Sequence, residues 1–235
     1  MDPVQILPLA EIGEVTDGTE LASVLNDAAS AAGTPLLDGD CLVVTQKIVS
    51  KAEGRIVSLD PDDPAARRSL IETESRRVLR RRDELLITET PHGFVCANAG
   101  IDQSNVADDH AALLPVDADR SARRIRDALR ARGVDLAVVV SDTFGRAWRN
   151  GLADVAIGVA GIAAVVDLRG TQDAMGRNLT VTEMAIADEV ASAAELVMGK
   201  DRGVPAAVVR GLPAEWFRES SVRELVRAAR DDLFR

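Results

Sequence analysis

Ser141-Asp142-Thr143 stands at the end of the apolar run Val138-Val139-Val140, and Phe144-Gly145-Arg146-Ala147-Trp148-Arg149-Asn150-Gly151 follows at once. Asp beside Thr presents hard oxygen ligands of the kind magnesium and manganese prefer. Arg146 and Arg149, three positions apart, suit anionic substrate groups. A turn after a strand accounts for Asp142 and Gly145 structurally, but not for two Arg, a Trp and an Asn crowded behind them. Two further clusters are candidates. Val43-Val44-Thr45-Gln46-Lys47-Ile48-Val49-Ser50-Lys51-Ala52-Glu53-Gly54-Arg55 runs from an apolar strand into a polar turn with two Lys. A fixed ammonium near backbone donors neutralises phosphate oxygens, and an ordinary solvated strand end explains the same residue types. Ala97-Asn98-Ala99-Gly100-Ile101-Asp102-Gln103-Ser104-Asn105 reads first as a tight turn. Asp102 nevertheless follows an apolar strand, where a carboxylate can project into a cleft. Two separated aspartates on strand ends, with Lys and Arg, are a common arrangement for phosphoryl chemistry through metal ions.

Other chemistries lack their residues. There is no GxxxxGK[ST], GxGxxG, GxSxG or HExxH stretch. The two histidines, His92 and His110, read as surface loop residues and cannot build a His-rich zinc site. Cys41 and Cys96 sit in apolar strand-like contexts without CxxC pairing, as buried thiols of a reducing compartment do.

The 235 residues carry 28 Lys plus Arg against 38 Asp plus Glu, a formal charge of −10. That balance opposes nucleic acid as a partner. The densest basic stretch, Arg76 to Arg82, reads as a solvated helix face supplied with Glu72 and Glu74. With 46% hydrophobic residues but only 3% aromatic and no Tyr, the core must be Val, Ile, Leu and Ala. No run approaches a membrane helix, and the N-terminus has no basic region of the secretory kind. The chain reads as cytoplasmic.

Strands are expected at Leu42–Val49, Glu84–Thr88, Phe94–Ala97, Leu136–Val140, Val155–Val159, Ala164–Asp167 and Ala206–Val209. Helices are expected at Glu20–Ala32, Pro64–Arg82, Ser121–Arg132, Glu183–Met198 and Ser220–Arg230. Asp119 and Thr182 are the expected N-caps, and Gly133 and Gly199 the expected stops. Ala187, Val190, Ala191, Ala194 and Val197 recur at helical spacing and mark a core face. Strands and helices without strict alternation imply an α+β fold of mixed sheets with packed helices. Residues 1–235 read as one functional unit, either one large domain or two interlocked lobes.

The sequence resembles the coenzyme F420-0:L-glutamate ligase family over nearly its whole length. The resemblance rests on Lys47 to Arg55, on Gly100 to Asn105 and on Ser141 to Gly151, in that order, with a weaker match at Val181-Thr182-Glu183 and Ala187-Asp188-Glu189. It implies attachment of L-glutamate to a carboxyl group of a deazaflavin precursor with GTP, then extension of a γ-linked tail. It also implies an intertwined homodimer of the family's fold, two divalent ions (magnesium or manganese) and potassium. In some actinobacterial relatives a flavin-binding reductase-like domain follows this region. By resemblance, Ile12, Gly13, Glu14 and Val15 line the nucleotide with Gln46, Lys51 and Asn105. Asp102 and Asp142 fall on ligands of one divalent ion and Thr143 on a ligand of a second. Lys51 and Arg146 would offset charge on the transferred phosphoryl group, and Arg149 would grip the glutamate carboxylates. Gln46 departs from the small hydroxyl residue expected there. A metal-dependent phosphohydrolase built on carboxylates, or a guanine-nucleotide-binding protein without catalysis, would use similar residue types.

Overall fold

The computed structural model describes residues 3–104 and 106–233. The chain opens with β1 (Gln5–Leu9), α1 (Leu21–Ala31), β2 (Cys41–Thr45), α2 (Gln46–Ala52) and β3 (Ile56–Ser58). It continues through α3 (Pro64–Thr73), β4 (Arg77–Arg82), β5 (Leu85–Glu89), β6 (Val95–Ala97), β7 (His110–Ala112) and α4 (Ala118–Ala131). The long hairpin β8 (Ala137–Arg146) and β9 (Arg149–Ala160) comes next. Last are β10 (Val166–Asp167), β11 (Glu183–Met184), α5 (Ile186–Met198) and β12 (Ala206–Arg210).

A five-stranded sheet in the order β1-β12-β2-β8-β9 forms the body. Only β2 and β8 run parallel, with Cys41 opposite Ala137 and Thr45 opposite Ser141. Their sequences, CLVV and AVVV, are apolar at every position because both faces are covered. On one face α1 and α4 pack Leu25, Ile125 and Leu129 against Leu42, Val44, Val138 and Val140. On the other, α5 lays Ala187, Val190, Ala191 and Ala194 on Val43, Val139 and Val209. Smaller sheets, β4-β5-β6, β3-β7 and β10-β11, lie outside this body. The mixed α+β architecture is therefore as expected, and Cys41 and Cys96 are buried and free.

Gly158 sets the distance between α4 and the sheet. A Cβ there would come within 2.4 Å of the Ala118 backbone, so only glycine lets the helix pack this closely.

Several expected boundaries are corrected. The strand Leu42–Val49 ends at Thr45 and becomes α2, because Gln46, Val49 and Ser50 turn inward together. The Ser50 hydroxyl donates to the Leu113 carbonyl at 2.6 Å and lies 2.9 Å from the Gln46 side-chain amide, and this seats the helix. The helix Pro64–Arg82 stops at Thr73, so Arg77–Arg82 is a strand paired with β5 across a turn where Asp83 takes φ 51°. Its arginines reach Glu89 and Glu72, and it stays largely solvated.

Asp117, not Asp119, caps α4. Asp119 is buried and accepts the Val159 amide at 2.8 Å and the Ser221 hydroxyl at 2.7 Å. That pinning explains why Ser220–Arg230 forms 3-10 turns at Val222–Glu224 and Ala229–Asp231 rather than a helix. The helix expected at Glu183–Met198 starts at Ile186 after Ala185, so Thr182 is not its cap. β1 carries no clear alternation and was not anticipated. His92 is half-buried and stacks on Phe94 at 5.7 Å, while His110 lies in β7. No described helix is long and apolar enough to cross a membrane.

Candidate active site

Because β2 and β8 are parallel, their carboxyl ends emerge at the same edge of the sheet. Ligands bind at this edge in open α/β sheets. There a cleft of about 560 Å³ opens, lined by Ile12, Gly13, Glu14 and Val15 from the loop after β1. Gln46, Lys47 and Lys51 line it from α2, Asp102 and Ser104 from the loop after β6, and Asp142, Thr143 and Asp154 from the hairpin. Glu195 and Lys200 close it from the end of α5. Lys47 and Lys51, four residues apart on one helix, share the face that looks into the cleft.

Lys47 Nζ lies 2.9 Å from Asp102 Oδ2 and donates to Ser104 Oγ at 2.7 Å. The Ser104 amide donates to Asp102 Oδ1 at 2.7 Å. Burial works against the charged form of Asp102, but the Ser104 hydrogen bonds and the Lys47 ammonium outweigh it and hold the carboxyl below the usual range. Lys51 pairs with Glu14 at 2.7 Å. Asp142 is treated differently. Its carboxylate accepts the Thr143 amide at 2.9 Å, and among the described residues no Lys, Arg or His forms an ion pair with it. Burial pushes its carboxyl up to about 7, and Asp102 and Asp154 add to the rise while the Thr143 amide and Lys200 oppose it.

Carboxylates gathered at one cleft with too little positive charge suit a divalent ion. Among the described residues no three His, Cys, Asp or Glu side chains form a ready-made metal cluster. Two carboxylates and a hydroxyl nevertheless fit magnesium or manganese, which keep waters and take substrate phosphate oxygens as further ligands.

The fold thus brings Ile12, Gly13, Glu14, Val15, Gln46, Lys51, Asp102, Asp142 and Thr143 to the lining of one cleft. Gln46 is buried at the cleft floor. Asn105 lies outside the described residues. Arg146 and Arg149 sit at the hairpin tip, outside the cleft lining, and Arg146 donates to the Asn150 carbonyl at 2.7 Å. The tip instead borders a second cavity of about 880 Å³ that contains Phe94, Phe144 and Trp148. Asp154, Glu195 and Lys200 were not singled out from the sequence, and Lys47 stood in a candidate cluster without a role of its own. A lone Asp within the otherwise apolar run Ala153–Ala160 was the one available signal for Asp154.

The chain is similar to known proteins over most of its length. Residues 10–211 match the family described as F420-0:Gamma-glutamyl ligase. A protein of Methanothermobacter thermautotrophicus named Coenzyme F420:L-glutamate ligase is 45% identical, with 93% of each chain covered. A relative of the same name from Methanopyrus kandleri is 39% identical over 99% of this chain and 98% of its own. One from Methanocaldococcus jannaschii is 36% identical over 97% and 94%. Matched by the family over residues 10–211 and 45% identical to a relative across 93% of both chains, the chain belongs to the F420-0:gamma-glutamyl ligase family.

Proposed function

We propose that this chain is a coenzyme F420-0:L-glutamate ligase that uses GTP and extends a γ-linked oligoglutamate tail. The observation that carries the reading is the cleft in which Asp102 and Asp142 face Lys47 and Lys51, in a chain akin to proteins named for that activity.

Asp102, Asp142 and Thr143 would hold magnesium or manganese, which supplies charge neutralisation on phosphate oxygens when bound. The loop Ile12–Val15, Gln46 and Lys51 bind the nucleotide beside them, and Asn105 joins this set by resemblance. The precursor carboxylate attacks the γ-phosphorus, GDP leaves, and an acyl phosphate forms. The amine of glutamate then attacks the acyl carbon, phosphate departs and the amine gives up a proton. Lys51 offsets the charge that develops on the transferred group, once freed from Glu14. Holding both reactants in one cleft converts encounters into near-neighbour steps. Arg146 and Arg149 take part where the substrate reaches the hairpin tip, and an unchanged glutamate KM in Arg149→Ala would remove that residue from the account. The working protein is a homodimer in this reading, and a solution mass near 25.0 kDa would overturn that.

Mass spectrometry of the deazaflavin precursor incubated with the chain, GTP, manganese and L-glutamate tests the whole. Glutamyl increments that vanish without GTP are the expected result. Steady GDP release without precursor would identify a phosphohydrolase instead, and no turnover of any kind a nucleotide-binding protein.

A further inference from the structure

Asp154 stands opposite Thr143 in the register of the β8–β9 hairpin. It is 3% exposed, yet borders the cleft. One carboxylate oxygen accepts the Ser141 hydroxyl at 2.9 Å, and the other accepts the Thr143 hydroxyl. Among the described residues no Lys, Arg or His pairs with it. Its backbone is fixed as well. The Asp154 amide donates to Glu195 Oε2 at 3.0 Å, and the Asp154 carbonyl accepts the Ser192 hydroxyl at 2.7 Å, so both main-chain groups are fastened to α5.

A hydroxyl carries one proton and two lone pairs. With its proton drawn into Asp154, Thr143 has only lone pairs left to offer the cleft. Such a hydroxyl accepts from a cation and cannot donate to a phosphate oxygen. A purely structural hydrogen bond would be met as well by an amide, whose neutral form avoids burying charge. An amide, however, has one accepting oxygen, and its NH2 would donate to one of the two hydroxyls and turn that proton outward. Only a carboxylate holds both hydroxyl protons at once.

We propose that Asp154 is a positioning residue that fixes the Thr143 hydroxyl as an obligate acceptor and so reserves that edge of the cleft for a cation. The inference rests on the reading of Thr143 as a cation ligand.

The test is Mn2+ binding to the whole chain, followed by electron paramagnetic resonance, in Asp154→Asn, Thr143→Val and the double variant. Each single change is expected to weaken Mn2+ binding about tenfold, and the double variant should bind no worse than Thr143→Val. Thr143→Ser keeps the hydroxyl and should bind within about threefold of the parent. Multiplying losses in the double variant would assign Asp154 a merely structural role. Parent-like Mn2+ binding in Asp154→Asn, or no Mn2+ binding by the parent, would also overturn the proposal. Should Asp154→Asn fail to fold, the parent decides by proton NMR. A slowly exchanging hydroxyl signal that disappears in Thr143→Val supports the pinned proton, and its absence refutes it. A chain that binds Mn2+ as expected but makes no glutamyl product would defeat the functional reading alone.

Discussion

The Lys47 ammonium and the Asp102 carboxylate meet at 2.9 Å on the cleft wall, whereas Asp142 beside them receives only a backbone amide. One carboxylate of the pair therefore has an ion-paired ammonium, and among the described residues the other has only the more distant charge of Lys200. Replacing Lys47 by Met leaves Asp102 facing Asp142 uncompensated. The expected loss is about 1–2 kcal/mol of stability, since both partners are largely buried. Millimolar Mn2+ should recover much of it by binding the folded state alone. Thermal melts of Lys47→Met with and without Mn2+ check this, and an unshifted melting temperature would count against it.

Asp142→Asn keeps the size of the side chain and removes its charge. If Asp142 serves the transition state through a bound cation, kcat should fall by about two orders of magnitude with a much smaller change in the GTP KM. Steady-state kinetics with saturating manganese provide the comparison. Near-normal turnover would remove Asp142 from the metal site.

Away from the cleft, the Arg218 guanidinium bonds both oxygens of Glu224 and holds its carboxyl below the usual range. A lowered carboxyl stabilises the fold above its unfolded-state value and loses that contribution as the pH falls through the folded-state value. The pair is partly solvated, so a few tenths of a kcal/mol are at stake. In Arg218→Gln the Glu224 titration should rise toward the usual carboxylate range, as followed by carboxyl carbon NMR. No movement would show that Arg218 is not the cause.

Gly158→Ala would force a methyl into the Ala118 backbone at 2.4 Å. Neither β9 nor α4 can retreat without disturbing the Asp119 bond to Val159. The expected cost is about 2–3 kcal/mol, or about 5–10 °C in melting temperature. A variant melting with the parent would mean that α4 shifts at little cost.

The central sheet was legible because its strands are apolar at every position, and α5 because its small residues repeat at helical spacing. The edges were less legible. Gln46–Ala52 holds as many β-branched and apolar residues as a strand, and only the inward turn of Gln46 and Ser50 against Leu113 makes it helical. The run from Arg76 to Arg82 has the composition of a solvated helix, yet its pairing with Leu85–Glu89 overrides that preference. Asp102 and Asp142 could be found because each follows an apolar run. Lys200 could not, since solvated lysines are common and only the fold brings it to the cleft, and Lys47 stood in a candidate cluster with no partner assigned until the fold set it beside Asp102. Arg146 and Arg149 were drawn toward the site by their nearness to Asp142 in sequence, while the extended strand carries them beyond it.

That extended strand has a mechanical meaning. β2 ends at Thr45, opposite Ser141, so from Asp142 to Arg146 β8 is paired with β9 alone. The hairpin is a cantilever clamped at its root between β2, α4 and α5. Beyond that clamp the edge-to-face contact of Phe144 with Phe94 at 6.2 Å steadies the strand, so the hairpin holds Asp142, Thr143 and Asp154 near its fixed root and sets Trp148 near its tip.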